Sequence, residues 1–181
     1  MSRILKEQIP NLVKKDSNLK FLEVGAGSGI HLQTALNSGI KNENIFSSDI
    51  DKKAVSHCSA LGFSCIHSDL FETFKGGGSV GGTLVPLKYD IIIFNPPYLP
   101  EDSREPQSSR KDTTAGKKGN EIIIRFLIQA KSHLNKNGKI FLITSSLSED
   151  VNFKNLNYSA KEIGCEKLFF ERLCIWELVI I

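Results

Sequence analysis

The tetrapeptide Asn95-Pro96-Pro97-Tyr98 closes the apolar run YDIIIF and is the part of the chain best built for chemistry. Two consecutive prolines fix the backbone and remove two N–H donors. The side-chain oxygen of Asn95 and the carbonyl of Pro96 are then left to converge as acceptors. A planar NH₂ group has two N–H bonds to give. Held by both oxygens, its nitrogen lone pair can be aimed at an electrophilic carbon. Positive charge growing on that nitrogen is stabilised by the same two oxygens, and orientation supplies much of the rest. Tyr98 offers a face on which a flat amide or base can stack. The plainer reading is a proline-rich strand exit with a surface tyrosine, and the residues upstream argue against it.

Upstream, FLEVGAGSG places Gly25, Gly27 and Gly29 between a strand and a helix, with Ala26 inside the turn. Glycines at such a turn let the backbone approach a ligand, and the helix N-terminus offers free N–H groups. The spacing GxGxG departs from the GxGxxG of dinucleotide sites, whose third glycine would fall at Ile30, and no GK[ST] follows to make a P-loop. Asp49, followed by Ile50, ends the next strand, where a carboxylate can accept both hydroxyls of a ribose. Glu23 puts a second carboxylate beside the same pocket. Asp69, followed by Leu70 and Phe71, ends a third strand and can accept from an exocyclic adenine amine. Taken singly, these aspartates are ordinary turn formers or helix caps. At three successive strand ends they make an acidic nucleoside site, which suits a cationic ligand without phosphate. S-adenosylmethionine, with its sulfonium and ammonium groups, is such a ligand.

The elements needed to position these residues follow from periodicity. Strands are expected over 19–24, 44–48, 63–67, 89–94 and 139–144, with helices over 28–38, 51–61 and 119–134 between them. A short amphipathic helix over 2–9 should stop near Pro10. A weaker helix is expected over 149–163, where Phe153, Leu156, Ala160 and Ile163 keep the period. The tail 167–181 reads as two strands turning near Glu171–Arg172. GGGSVGG at 76–82, five glycines in seven residues, reads as a flexible surface loop, and 95–118 as a long polar one. The order gives an α/β layered fold, a mostly parallel sheet with a C-terminal antiparallel hairpin, as one domain over 1–181.

Composition bounds the remaining classes. The 181 residues are 40% hydrophobic and 24% charged, with a formal net charge of +3, which excludes a disordered tail, a collagen-like chain and a supercharged nucleic-acid coat. No apolar run reaches the ~20 residues that span a bilayer, and the N-terminus has no signal-peptide h-region, so a cytoplasmic protein with no membrane partner is expected. Cys58, Cys65, Cys165 and Cys174 show no CxxC spacing and read as reduced thiols. His57, Cys58, Cys65 and His67 match no standard zinc pattern, so no metal is expected.

These motifs together resemble the class I S-adenosylmethionine-dependent methyltransferases, and among them the HemK-type glutamine methyltransferases of translation release factors, especially the short archaeal and eukaryotic form. EVGAGSG is similar to the family's cofactor loop, SSDI to its ribose-binding strand end, SDLF to its adenine-side segment and NPPY to its catalytic motif. AGKKGNE resembles its substrate loop and FFERLCIWEL its closing hairpin. The resemblance implies a Rossmann-like class I fold with a seven-stranded sheet. It implies that Glu23, Gly25, Ala26, Gly27, Gly29, Asp49, Ile50, Asp69, Leu70 and Asn95 hold S-adenosylmethionine. It further implies that Asn95, Pro96, Pro97 and Tyr98 hold the glutamine amide of a release factor's Gly-Gly-Gln loop. Some short members work with a small zinc-binding activator subunit. About twenty residues precede the first strand, where the bacterial form has a helical domain, and the Pro-Glu-Asp stretch typical of the short form is not found.

Three other readings stay open on the residues. NPPY also serves nucleobase amines, so an RNA or DNA methyltransferase is one. The basic footprint expected of it is slight: Arg104, Arg110, Lys111, Lys117 and Lys118 stand against Glu101, Asp102, Glu105 and Asp112, a net of +1 over 101–120. An inactive cofactor-binding subunit is the second, although it would have no use for NPPY. A nicotinamide oxidoreductase is the third, weakened by the glycine spacing.

Overall fold

The structure is a computed structural model that describes residues 1–16, 18–74, 78–80, 83–85, 88–101 and 113–181. Nine strands and four α-helices are described: α1 (Ser2–Val13), β1 (Phe21–Val24), α2 (Ile30–Asn37), β2 (Ile45–Asp49), α3 (Lys52–Ala60), β3 (Ser64–His67), β4 (Gly78–Val80), β5 (Thr83–Val85), β6 (Tyr89–Phe94), α4 (Glu121–Ala130), β7 (Leu134–Ser145), β8 (Tyr158–Leu168) and β9 (Glu171–Ile180). Seven strands form one sheet in the order β3-β2-β1-β6-β7-β9-β8. The five from β3 to β7 run parallel, while β9 and β8 are antiparallel to their neighbours.

Alternation along the central strands divides the core between the sheet's two faces. Leu22, Val24, Ile92, Phe94, Ile140 and Leu142 pack with Ile123, Phe126, Leu127 and Ala130 of α4. Phe21, Ile91, Ile93 and Phe141 pack on the other side with α1, α2 and Cys58 of α3. The result is a three-layer αβα architecture whose strand order reverses between β1 and β6. Such a switch point opens a crevice at the carboxyl ends of the strands.

Four expectations about the elements need correction. The first helix runs through Pro10 to Val13, and Lys14 N–H still bonds the Pro10 carbonyl at 3.1 Å. Ile4, Leu5 and Ile9 are buried on that helix, and their packing offsets the lost helical bond. The glycine-rich stretch is not a plain loop, because β4 lies in it and pairs with β5, just beyond it, as an antiparallel ribbon; residues 76–77 and 81–82 lie outside the described residues. No helix covers 149–163: Asn157 turns at φ 57° and β8 starts at Tyr158. As a largely exposed edge strand, β8 has no buried stripe to impose a strand period. The final hairpin consequently turns at Phe169–Phe170, earlier than expected.

The cysteines divide into two pairs. Cys165 and Cys174 are cross-strand partners of β8 and β9 and are joined as a disulfide, not held as reduced thiols. Cys58 and Cys65 are free. Burial pushes the Cys58 thiol up to about 12, with the nearby Cys65 adding to it, and burial raises Cys65 as well. Both are therefore protonated packing groups at neutral pH. His57, Cys58, Cys65 and His67 do not converge on one point; among the described residues only Glu162, Cys165 and Cys174 group closely enough to suggest metal ligation, and two of those sulfurs are bonded to each other. No helix among the described residues is long and apolar enough to cross a membrane.

Candidate active site

Register brings the two sequence motifs together. Val24 of β1 and Phe94 of β6 are direct partners in adjacent parallel strands. The next residues, Gly25 and Asn95, therefore leave the sheet side by side, about one strand spacing (~4.8 Å) apart. On the far side of β1, Val24 pairs with Ser48, so Asp49 leaves the same edge. A glycine turn, an acidic strand end and the NPPY segment thus line one crevice at the switch point.

The glycine turn is bent by three left-handed residues, Gly25 at φ 72°, Gly27 at 51° and Gly29 at 73°. Its N–H groups are partly spoken for: Gly25 and Ala26 donate to the Ser48 carbonyl at 2.8 and 3.1 Å. Gly27 donates to Asp49 Oδ2 at 2.9 Å, and Asp51 N–H donates to Asp49 Oδ1 at 2.8 Å. One N–H on each oxygen fixes the Asp49 carboxylate and leaves acceptor capacity on both. A Cβ on Gly29 would press within 3.3 Å of Cys58 Sγ and Leu61, whereas a Cβ on Gly27 would meet nothing within 4 Å among the described residues. Packing therefore explains Gly29, while Gly27 borders open space.

Glu23 is 1% exposed, unusual for a carboxylate. Its Oε1 lies 2.6 Å from His31 Nδ1 on the first turn of α2, and its Oε2 has no hydrogen-bond partner among the described residues. Burial pushes the Glu23 carboxyl up to about 6, the His31 contact opposing the rise and the charge of Asp49 adding to it. A buried, half-satisfied carboxylate of this kind calls for a cation. His31 is not among the expected site residues; its position eight residues after Glu23 identifies it only once the turn is folded.

Asp69 lies beyond β3 and is gripped by Arg125 of α4, Nη2 to Oδ1 at 2.6 Å and Nη1 to Oδ2 at 3.0 Å. Arg125 was likewise not expected from the sequence. The pair is more than a third exposed, so it contributes positioning more than stability. Leu70 is buried and turns at φ 49°, while Ile50 is exposed.

On the other flank, Asn95 is exposed, Pro96 buried, and Pro97 and Tyr98 half-buried. Burial raises the Tyr98 phenol, with the Glu171 carboxylate adding to the shift, so the ring is neutral at physiological pH. Beyond it the chain pairs with 113–116: Leu99 N–H donates to Thr113 O at 2.8 Å, Ala115 N–H to Leu99 O at 2.9 Å and Glu101 N–H to Gly116 O at 2.9 Å. Residues 102–112 between these ends, including Arg104, Glu105 and Arg110, lie outside the described residues. Gly119 sits so close that a Cβ would fall 2.8 Å from the Tyr98 carbonyl oxygen and 3.0 Å from Pro100 N. Glu121 stiffens this segment. Burial would push its carboxyl up, but the backbone N–H groups of Lys118, Glu121, Asn120 and Gly119 outweigh burial and hold it below its usual range.

Comparison with known proteins agrees with this geometry. Residues 66–161 match the Eco57I restriction-modification methylase family. The chain is 31% identical over 176 residues to a Methanocaldococcus jannaschii protein provisionally named protein N5-glutamine methyltransferase, covering 89% of this chain and 83% of the relative. It is 33% identical to the eRF1 methyltransferase catalytic subunit mtq2 of Schizosaccharomyces pombe over 70% of this chain, spanning 59% of that longer protein. A chain from the E. cuniculi Mtq2-Trm112 complex, described as responsible for methylating the eRF1 translation termination factor, superposes with a TM-score of 0.61 at 19% identity. That match covers 99% of this chain and 94% of the other and establishes the Rossmann-like class I methyltransferase fold.

Proposed function

Because the chain belongs to the protein N5-glutamine methyltransferases, and shares residues 66–161 with the Eco57I methylase family, we propose that it methylates the side-chain amide nitrogen of a glutamine in a translation release factor. The observation that carries this reading is the Val24–Phe94 register, which sets the NPPY segment beside the glycine turn. Residues 1–181 act as a single methyltransferase domain in this account.

The residues fit S-adenosylmethionine. The orphaned Oε2 of buried Glu23 suits an ammonium, the open side of Gly27 admits close approach, and Asp49 retains acceptor capacity for two hydroxyls. Gly25, Ala26 and Gly29 shape the turn, and Ile50, Leu70 and Asp69 form the adenine side, with Arg125 orienting Asp69. When bound, this cofactor supplies a methyl group activated by its sulfonium. The chain's own contribution is to hold and aim the nucleophile. The Asn95 side-chain oxygen and the Pro96 carbonyl accept the two N–H bonds of the glutamine amide. Pro96 and Pro97 keep those oxygens from rotating away, and neutral Tyr98 stacks on the amide plane. Charge developing on the nitrogen faces two fixed dipoles, and the surplus proton leaves to solvent without a strong base.

Glu23 gives this site opposite pH signatures with and without ligand. Its carboxyl sits near 6 in the fold against 4.5 when unfolded, so between those values the folded state binds more protons. On this group's account the unliganded fold loses stability as pH rises through that window, by about 2 kcal/mol at most. An ammonium needs the ionised form, so cofactor affinity should fall as pH drops below about 6 and be flat above it. Calorimetric titration from pH 5 to 8 checks this, and Glu23→Gln should abolish the bend. A second expectation concerns Gly27→Ala. The methyl group meets no atom of the described residues within 4 Å, so stability should fall only modestly, by about the 1–2 kcal/mol of a left-handed alanine. Cofactor affinity should fall at least tenfold, because the methyl occupies the ligand's space.

Substrate choice is tested by offering labelled S-adenosylmethionine with an intact release factor, the factor with its Gly-Gly-Gln glutamine replaced, bulk tRNA and DNA. Label in the intact factor alone supports the reading. Label in nucleic acid supports the second one, amino methylation of a nucleobase, which the match over residues 66–161 favours. A small zinc-binding activator subunit is the proposed partner, supported by the likeness to a chain from a two-protein complex.

A further inference from the structure

The turn between β8 and β9 carries the largest exposed apolar side chains of the described residues, Phe169 at 99% and Phe170 at 83% exposure, with Leu168 at 40% beside them. Its place in the sheet connects it to the active site. Ser145 at the end of β7 pairs with Leu173, Ser146 N–H bonds the Arg172 carbonyl at 2.9 Å, and Arg172 N–H bonds Ser146 Oγ at 2.9 Å. The Phe169–Phe170 tip therefore overhangs the carboxyl edge from which NPPY emerges. Glu171, next to the tip, accepts from Ser145 Oγ at 2.6 Å and lies close enough to Tyr98 for its charge to raise the phenol. Glu171 thus links the phenylalanine turn to Tyr98 at one edge of the sheet. Leu147, 37% exposed, is tied to the same edge by its N–H, which donates to Ser145 Oγ at 3.0 Å.

We propose that Phe169 and Phe170 are the docking contact for the protein substrate, gripping an apolar segment of the release factor next to the glutamine held at NPPY. This rests on the glutamine reading above. Two largely exposed phenylalanines cost solubility and add little to the core, and aromatic anchors of this kind dominate protein interfaces. Charge favours protein over nucleic acid: Lys161, Lys167 and Arg172 are balanced by Glu162, Glu166 and Glu171, and Arg172 is already paired with Glu162 at 3.1 Å. Single-stranded nucleic acid would call for a cationic groove alongside the aromatics.

The test is the double variant F169N/F170S, assayed as the full chain with the activator subunit present. Asparagine suits the left-handed backbone of residue 169, φ 38°, and both side chains lie outside the core, so folding should hold. The expected result is a KM for the release factor raised at least tenfold, with kcat at saturating factor and cofactor affinity unchanged. F170L, which keeps the apolar contact, should stay within about threefold of the parent chain. An unchanged KM in the double variant overturns the proposal, as does a loss confined to RNA retention. If the parent chain labels no release factor, the glutamine reading itself fails and the proposal falls with it, an outcome distinct from a labelled factor with an unmoved KM.

Discussion

Replacing Asn95 with alanine should cut methyl transfer at least ~100-fold while leaving cofactor affinity within about threefold, the scale of one oriented acceptor that works on developing charge. Asn95 is exposed and follows the last residue of β6, so its loss removes no core contact and the variant should melt with the parent. The loss belongs in kcat, because the amide can still enter the site but its nitrogen is no longer aimed. The flanking structure argues for aiming. Pro96 is buried, and Gly119 packs so tightly against the Tyr98 carbonyl that even a methyl group would displace it. The segment is thus held from both sides, and on the proposed mechanism substrate orientation falls to Asn95, the one exposed polar side chain in NPPY. Retention of near-normal turnover by Asn95→Ala would remove Asn95 from the mechanism.

The second large effect is expected at Asp49, read out in binding. Asp49→Ala should weaken S-adenosylmethionine by roughly 1.5–3 kcal/mol, or about 10- to 150-fold in Kd. Two losses combine. The proposed ribose acceptor disappears, and so does the anchor that ties Gly27 N–H and Asp51 N–H at 2.9 and 2.8 Å. Asp49→Asn should fall between the two, since one amide oxygen can still accept from one of those N–H groups while its NH₂ cannot accept at all. Calorimetry on the three proteins separates the contributions, and an unchanged Kd for Asp49→Ala would take Asp49 out of the site.

Much of this was legible in the sequence, for identifiable reasons. The central strand β6 carries an unbroken apolar run, Ile91–Phe94, because α-helices cover both faces of a parallel sheet, while β1 and β2, with their buried Glu23, Ser47 and Ser48, are marked by the glycine turn and the aspartate that end them. The proposed ligand-side residues stand at strand ends, where glycine and aspartate have few other uses in combination. What escaped was set by contacts distant in sequence. His31 and Arg125 look like surface residues of their helices until the fold brings them to Glu23 and Asp69. β8 escaped because an exposed edge strand has no apolar period, and the chance spacing of Phe153, Leu156, Ala160 and Ile163 mimics a helix. Phe153 and Leu156 instead pack against the core from the turn before β8, Phe153 at 5.3 Å from the Trp176 ring. The Cys165–Cys174 pairing depended on that same register, with a bulge between Glu162 and Gly164 setting it, and became readable only with the strand.

The most direct measurement is mass-spectrometric mapping of the release factor after incubation with this chain, the proposed activator subunit and S-adenosylmethionine. One methyl group on the side-chain amide of the Gly-Gly-Gln glutamine, absent with Asn95→Ala and absent when that glutamine is replaced, is the result predicted here. A methyl group on any other residue, or a factor left unmodified while RNA or DNA takes up the label, would contradict it.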